Sequence, residues 1–265
     1  MAAKKMRGRK FLWPALVLLV FLVPGFETQT ELYGESELNQ AASWDCGLRF
    51  DFFNRGIKRD ETSSTLKSLH LVAEAHGKNL GGTVDLTLFA GLGQTDLNGL
   101  VFNQLPITLD YQAGGINGLI IGLAADWPLI YKSDFKLGLT ADFMTWFGFK
   151  KKFAMEGFVF PGEARAEPDW SQASGGIFAA YEGYENAEPF IKVKISGLWG
   201  TFKMTENIQD LSGEENKSLK GSSLMAVTLG CHLKLTDRLY LTPVAEFYPA
   251  SKSGLAASLG VFYIF

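Results

Sequence analysis

The sequence predicts an all-β protein, a closed up-and-down antiparallel transmembrane β-barrel of about ten strands, with eight or twelve as the neighbouring possibilities. Three observations predict this fold: short segments alternate apolar with polar residues at period two, their charges fall on one face, and the connections between them alternate in length. The longest apolar run, residues 11–23, is shorter than the roughly 20 residues of a membrane-spanning helix. A helical membrane protein is therefore not expected.

The N terminus has the pattern of a secretory signal peptide. Residues 1–10 carry five basic side chains and no acidic one, and the apolar run 11–23 follows. We assign residues 1–25 to the signal peptide, 26–42 to an N-terminal periplasmic segment and 43–265 to the barrel. No Ala-x-Ala triplet marks the cleavage site, so the first boundary is the loosest.

The charge balance and the cysteines exclude several classes of protein. The formal net charge is −3, and removal of residues 1–25 leaves 28 acidic against 20 basic residues, which argues against a nucleic-acid partner. Cys46 and Cys231 have no metal-ligand spacing and are too few for a disulfide framework. We expect two free thiols that face lipid, no metal and no cofactor.

Period-two alternation defines the strands, and the connections between them alternate between short and long. This wiring is typical of outer-membrane barrels, with short turns on the periplasmic rim and long loops outside. We interpret the acidic segment 205–222 as a mobile exterior loop. The shorter connections are 78–80, 128–134, 186–188 and 236–238, and the long ones are 55–64, 94–112, 149–173 and 205–222. The predicted strands are 43–54, 65–77, 82–93, 113–127, 135–148, 174–185, 189–204, 222–235, 239–249 and 253–265.

The two faces of these strands differ in charge. Alternate side chains point to opposite sides of a sheet, and one face carries no charge in any strand, as in Leu48, Phe50 and Phe52 of the first. A charge that faces lipid at mid-depth costs a barrel about 2–4 kcal/mol, so we place the charged face in the lumen. The candidate lumen network is Arg49, Asp51, Glu74, Asp85, Asp126, Lys136, Asp142, Glu182, Lys192, Lys194, Lys234 and Glu246, with His70, His76 and His232 on the same face.

We expect this network to fill the lumen by mutual pairing. Hairpin geometry predicts that Glu182 lies opposite Lys192 and that Asp126 and Lys136 flank the turn near Tyr131. A barrel of about ten strands is only slightly wider than one of about eight, whose interior is filled by side chains. A plugged lumen with low conductance follows.

Periodicity alone also allows a soluble lipocalin-like barrel whose apolar face turns inward around a ligand. Aromatic residues at the strand ends of the apolar face favour the membrane, because interfacial girdles lie there. These residues are Trp44, Trp127, Phe135, Tyr263 and Phe265 towards the short turns, and Phe52, Phe143, Trp199 and Phe247 towards the long loops.

The final segment places a polar residue, a glycine and two aromatics at set spacings, namely Ser258, Gly260, Tyr263 and Phe265. This segment resembles the C-terminal β-signal of Gram-negative outer-membrane β-barrels. The resemblance implies that the barrel-assembly machinery recognises the last strand and pairs it with an open sheet edge. It also implies a bacterial outer-membrane location among lipid and lipopolysaccharide. The resemblance is to the superfamily and brings no substrate with it.

The sequence offers no catalytic constellation that stands out. Ser68 and His70 share a face two residues apart, as a Ser-His nucleophile would require, but a lumen histidine bonded to polar neighbours explains them better. Some ten-stranded outer-membrane barrels are proteases, whose acid and histidine pairs lie near the outer rim. No such pair is predicted in this sequence.

We therefore expect a non-enzymatic, porin-like barrel with a structural, adhesive or narrow-channel role. The alternatives are an outer-membrane enzyme acting on lipid A or peptides, and the soluble periplasmic ligand binder. The basic run 150–152 begins a long loop and is a candidate contact for lipopolysaccharide phosphates. The oligomeric state stays open.

Overall fold

The computed structural model describes residues 43–59, 62–81, 83–97, 100–106, 108–111, 114–154, 162–249 and 254–265. The predicted signal peptide and the segment 26–42 lie outside these ranges. No helix in the described part of the chain is long and apolar enough to cross a membrane.

Within these ranges the chain forms strands joined by turns and short irregular segments. The strands are β1 (Ser43–Arg59), β2 (Thr62–Leu80), β3 (Val84–Asp96), β4 (Leu100–Phe102), β5 (Leu109–Tyr111), β6 (Ile116–Lys132), β7 (Phe135–Gly148), β8 (Lys151–Ala154), β9 (Gly162–Tyr181), β10 (Ala187–Ile208), β11 (Leu211–Gly221), β12 (Met225–Thr236), β13 (Leu239–Tyr248) and β14 (Gly254–Ile264).

Ten strands form a closed ring in the order β1, β2, β3, β6, β7, β9, β10, β12, β13, β14. Every pairing in the ring is antiparallel, and β14 returns to β1 with Asp45 opposite Ile264 and Asn54 opposite Leu255. Because closure leaves no free sheet edge at this level, the backbone groups can be satisfied within lipid. The predicted ten-stranded up-and-down barrel is confirmed.

Several strands extend further than the sequence predicted, and the longest extension is towards a long connection. β9 begins at Gly162 instead of residue 174, and β10 reaches Ile208 instead of residue 204. Four more strands lie in segments predicted to be loops: β4, β5, β8 and β11. The interpretation of 205–222 as a mobile loop is wrong, since β11 occupies most of it and pairs along its length with β10.

β11 connects two strands of the ring above the ends of β12, β13 and β14. One edge of β11 pairs with β10, and the other meets β1, with Ile57 opposite Gly221 and Lys58 opposite Lys220. Strand β1 therefore has two partners on one edge, β14 along most of its length and β11 near its end. We call the projecting part the outer collar; it consists of 54–59, 62–67, 162–171, 199–208 and 211–221.

The outward-facing side chains of β10 change from apolar to polar near residue 199. Before that point Val193 and Ile195 face outward and are exposed, while Lys194 is buried in the lumen. Beyond it Lys203 faces outward, and Phe202, which points inward, is fully buried. A membrane-spanning strand needs about 9–11 residues, and β10 has 22. One half of β10 thus faces lipid, and the other half is built like a water-soluble sheet.

The uncharged face is on the outside of the ring. Leu48, Ile177 and Ile195 are 58%, 60% and 71% exposed, which is tolerable only against hydrocarbon. The lipocalin-like alternative, which turns this face inward, is therefore wrong. Cys46 is exposed on this face and Cys231 is partly exposed, and both are free thiols, as predicted.

Candidate functional site

The lumen has two parts, a charged chamber towards the short turns and an apolar filling towards the collar. The charged chamber has a volume of about 320 Å³. Its walls include ten of the twelve predicted network residues, namely Arg49, Asp51, Glu74, Asp85, Asp126, Lys136, Asp142, Lys192, Lys194 and Glu246. Glu182 lies at the mouth of the chamber. Lys234 is half-exposed and instead pairs with Asp237 in the β12–β13 turn, at 2.9 Å.

The ion pairs of Lys192 and Lys194 join strands that are not neighbours in the ring. Lys192 Nζ lies 2.9 and 2.7 Å from the two carboxylate oxygens of Asp126. Lys194 Nζ donates to Asp142 at 3.0 Å and to Glu246 at 2.9 Å. A further group joins the Arg49 guanidinium to Asp51 and Glu74.

The predicted pairing of Glu182 with Lys192 and of Asp126 with Lys136 is wrong. The structure exchanges the partners, since Lys136 Nζ lies 2.5 Å from Glu182 and Lys192 binds Asp126. Two turns explain the exchange. β9 ends at Tyr181, so Glu182 belongs to the turn. β6 continues to Lys132, so Asp126 lies opposite Thr140 and Lys136 lies opposite Tyr131.

Four aromatic side chains fill the lumen above the charged chamber, and we call them the aromatic seal: Phe53, Trp146, Trp170 and Tyr248. Each is at most 3% exposed. Phe53 stacks on Trp170 with ring centroids 5.5 Å apart, and Trp146 stacks on Trp170 at 6.3 Å. Tyr248 meets the edge of Phe53 at 5.8 Å. Since β1, β7, β9 and β13 each contribute one ring, the seal spans the cross-section of the barrel.

Arg55 is buried beside the seal and has no carboxylate partner among the described residues. Its Nη1 donates to Gln172 Oε1 at 2.6 Å and to Ser196 Oγ at 3.1 Å. Its Nη2 donates to the carbonyls of Ser196 and Ser223, at 2.8 and 2.7 Å, and the guanidinium carbon lies 4.4 Å from the centroid of the Tyr248 ring. The sequence predicts a loop at residues 55–64 and therefore does not point to Arg55. The signal that does is the odd-numbered inward phase of β1, which continues through Phe53, Arg55 and Ile57.

The β4–β5 hairpin closes the collar from above. Phe102 and Tyr111 are fully buried against Phe202, with ring centroids 5.3 and 5.1 Å away. A buried ion pair supports it, since Glu215 accepts from the Gln104 backbone N–H at 2.7 Å and lies 2.5 Å from Lys217 Nζ. Burial raises the pKa of the Tyr111 phenol, which therefore stays neutral and donates to the Gly114 carbonyl at 2.7 Å.

Ser68 and His70 do come together, with Ser68 Oγ 2.6 Å from His70 Nε2. Asp51 Oδ2 lies 4.0 Å from His70 Nδ1, which is too long for a hydrogen bond. Ser68 is 1% exposed and also contacts Thr95 Oγ1 at 2.7 Å and the Gln94 carbonyl at 3.0 Å. The Ser68 hydroxyl is thus engaged in hydrogen bonds with these neighbouring groups, and it does not line the chamber.

The other two histidines are held by hydrogen bonds within the wall. His76 contacts Asp45 at 2.9 Å and the Tyr240 hydroxyl at 3.1 Å, and His232 contacts Thr242 at 3.0 Å. Across the described ranges, no group of three or more His, Cys, Asp or Glu residues is placed to hold a metal ion.

Three of the predicted assembly-signal residues lie on β14, the strand that closes the ring, and Phe265 follows it directly. Ser258 is opposite Asp51 and Gly260 is opposite Arg49. Tyr263 and Phe265 face outward with ring centroids 5.5 Å apart, and Phe265 is 81% exposed.

The basic run at the start of the long loop is engaged in the collar. Lys150 pairs with Glu167 at 3.1 Å and Lys152 with Glu163 at 3.0 Å. Lys151 Nζ donates to the Gly115 carbonyl at 3.0 Å.

No family model matches the chain, and no curated protein sequence matches it. Among solved structures, it is similar to the outer membrane protease OmpT from Escherichia coli, with 12% identity and a TM-score of 0.46 over 84% of this chain and 96% of that one. It is also similar to the translocator domain of the autotransporter NalP from Neisseria meningitidis, with 10% identity and a TM-score of 0.45 over 86% and 90%. The attachment invasion locus protein Ail of Yersinia pestis gives 12% identity and a TM-score of 0.32 over 84% and 97%. By its closed ring and its apolar outer face, the chain is a β-barrel of the outer-membrane type.

Proposed function

We propose that the chain is a sealed, non-enzymatic outer-membrane protein that has a structural or adhesive role through its outer collar. The single observation that carries this proposal is the aromatic seal. Phe53, Trp146, Trp170 and Tyr248 are each at most 3% exposed and contact one another inside the barrel. An aqueous channel belongs to barrels of about 16 strands, and here side chains fill the narrower ring.

The collar supports a role outside the membrane. Its outward face is polar and includes ion pairs: Lys203 Nζ lies 2.9 Å from Glu214, and Glu167 lies 3.1 Å from Lys150 just after the end of β7. A hydrogen bond to Glu214 also raises the pKa of Lys203, so the ammonium group stays charged at neutral pH. A rigid, water-compatible sheet that projects from the membrane is suited to contact other surfaces.

The burial of Ser68 supports the absence of enzymatic activity. A catalytic serine must meet its substrate, whereas Ser68 is enclosed by Thr95 and the Gln94 carbonyl. His70 reaches the chamber wall, but the hydroxyl that would attack is behind it.

Conductance in planar bilayers tests the proposal. We expect the refolded protein to show no stable open level, and the Phe53→Ala/Trp170→Ala double variant to conduct because it removes two rings of the seal. Each large-to-small change costs about 3–5 kcal/mol, so single Trp170→Ala and Trp170→Leu variants serve as milder openings. The matched control is Phe50→Ala, which removes an outward ring from the same strand and should stay closed. A large, stable conductance in the unmodified protein would make a diffusion channel the favoured function.

A further inference from the structure

Two lysines face each other across the junction of β1 and β11. Lys58 and Lys220 are directly opposite in the antiparallel register, and both side chains are exposed on the outward face. Directly opposed like charges destabilise a strand pair. Among the described residues neither lysine has an ion-pair partner, whereas Lys203, Lys150 and Lys152 each pair with a glutamate.

The position of this junction along the barrel axis is set by Trp199. On β10 Trp199 lies opposite Lys220, and it is the last outward apolar residue before the polar half of the strand. Tryptophan is enriched at the boundary between hydrocarbon and water. The two ammonium groups therefore stand at the level of the lipid headgroups, and lysine stems can extend along apolar surface to adjust that height.

We propose that Lys58 and Lys220 form a binding site for a phosphate of the lipid A headgroup of lipopolysaccharide in the outer leaflet. One doubly charged phosphate between the two ammonium groups replaces their repulsion with two charge-assisted hydrogen bonds. This inference rests on the proposed outer-membrane function, which places the collar outside.

The basic run 150–152 is the cationic segment that the sequence indicates as a contact for lipopolysaccharide phosphates. Its members are already bound to Glu167, to Glu163 and to a backbone carbonyl. A phosphate there would have to displace internal partners. At the β1–β11 junction it would meet two ammonium groups that have no ion-pair partner in the part of the chain that the structure describes. The structure thus favours the junction over the run that the sequence suggested.

Stability in two lipid environments tests the site. We expect the urea midpoint of the unmodified protein in phosphocholine bilayers to rise when purified lipid A is added. The Lys58→Gln/Lys220→Gln double variant should lose this rise, and in phosphocholine alone it should be at least as stable as the unmodified protein because the repulsion is gone. The apparent affinity for fluorescent lipid A should fall about tenfold for each lysine removed. Lys152→Gln is the matched control, since it removes an exposed but paired lysine and should retain the rise.

Two further probes identify the ligand. Dephosphorylated lipid A should give no rise, and inorganic phosphate at matched concentration should give much less. An unchanged response of the double variant, an equal response to dephosphorylated lipid A, or an equal response to inorganic phosphate would each overturn the assignment. Conductance is recorded in bilayers without lipid A, so a failure of the sealed-lumen proposal is seen separately from a failure of this one.

Discussion

Lys192 and Asp126 form a two-pronged ion pair across the charged chamber, with both carboxylate oxygens within 2.9 Å of the ammonium nitrogen. Removal of the lysine leaves a carboxylate in a chamber walled by protein. Breaking a buried pair costs about 3–5 kcal/mol, and since these side chains are 20% and 30% exposed we expect about 1–3 kcal/mol for Lys192→Gln. The measurement is urea unfolding in phosphocholine vesicles.

The double variant Lys192→Gln/Asp126→Asn distinguishes the loss of the ion pair from the cost of leaving one buried charge unpaired. We expect it to recover part of the loss, because no unpaired charge remains. Lys152→Gln, from an exposed pair with Glu163, should cost less than about 1 kcal/mol. Equal costs for Lys192→Gln and Lys152→Gln would contradict the buried character of the chamber.

We expect the planar shape of the Arg55 guanidinium group to contribute to stability in addition to its charge. Arg55→Leu removes four hydrogen bonds from a buried site and should lower the free energy of unfolding by about 2–4 kcal/mol. Arg55→Lys keeps the charge but cannot reach four acceptors from a planar fork, so it should also be destabilising. The matched control is Arg238→Leu in the exposed β12–β13 turn, where we expect about 0.5 kcal/mol or less. A fully stable Arg55→Lys protein would show that the charge alone matters.

Thiol labelling of intact cells should identify the outer end of the barrel. In a Cys46→Ser/Cys231→Ser background, Asp210→Cys at the β10–β11 turn should react with a membrane-impermeant maleimide before lysis. Asp237→Cys, whose parent side chain is 96% exposed in the β12–β13 turn, should react only after lysis. The reverse order would invert the orientation of the barrel.

Deletion of Phe265 should impair assembly in cells more than folding in vitro. The side chain is 81% exposed, so its loss removes little packing, whereas the proposed β-signal loses its terminal aromatic. We expect a sharp fall of the heat-modifiable band in the outer-membrane fraction and near-normal refolding in detergent. Replacement by Tyr is the conservative control. Normal outer-membrane levels of the deletion variant would refute the assembly role.

The membrane-level ring was predictable because lipid imposes one strict rule on it. A charge facing hydrocarbon is costly, so the sequence of β1 from Trp44 to Phe52 alternates without exception. Leu119, Ile121 and Leu123 of β6 continue the same uncharged outer face. The collar was not predictable in this way. Beyond Trp199 the outward residues of β10 become polar while its inward residues are mostly apolar. The apolar residues therefore move from the outer face to the inner face, and the segment has the polar composition that is typical of a loop.

Pairing within the lumen was the least predictable feature. Ten of the twelve predicted charges line the chamber, but their partners depend on the length of each side chain and the diameter of the ring. Lys192 reaches β6 across the chamber instead of the turn beside it. From the sequence we expect charged side chains alone to fill the lumen. In the structure the uncharged Trp146 and Trp170 fill its outer half.

The two partners of β1 on one edge bear on how this barrel is completed during insertion. At the collar, Ser222 reaches across to Gly56, with its backbone N–H and its hydroxyl both 2.9 Å from the carbonyl, and this junction needs nothing beyond β11. The contact between β1 and β11 can therefore form before β12, β13 and β14 join the sheet. An insertion intermediate halted at that stage would have a gap in the sheet between β10 and β1, bridged at the collar by β11. The final strands would then enter a gap whose two edges are already connected at one end.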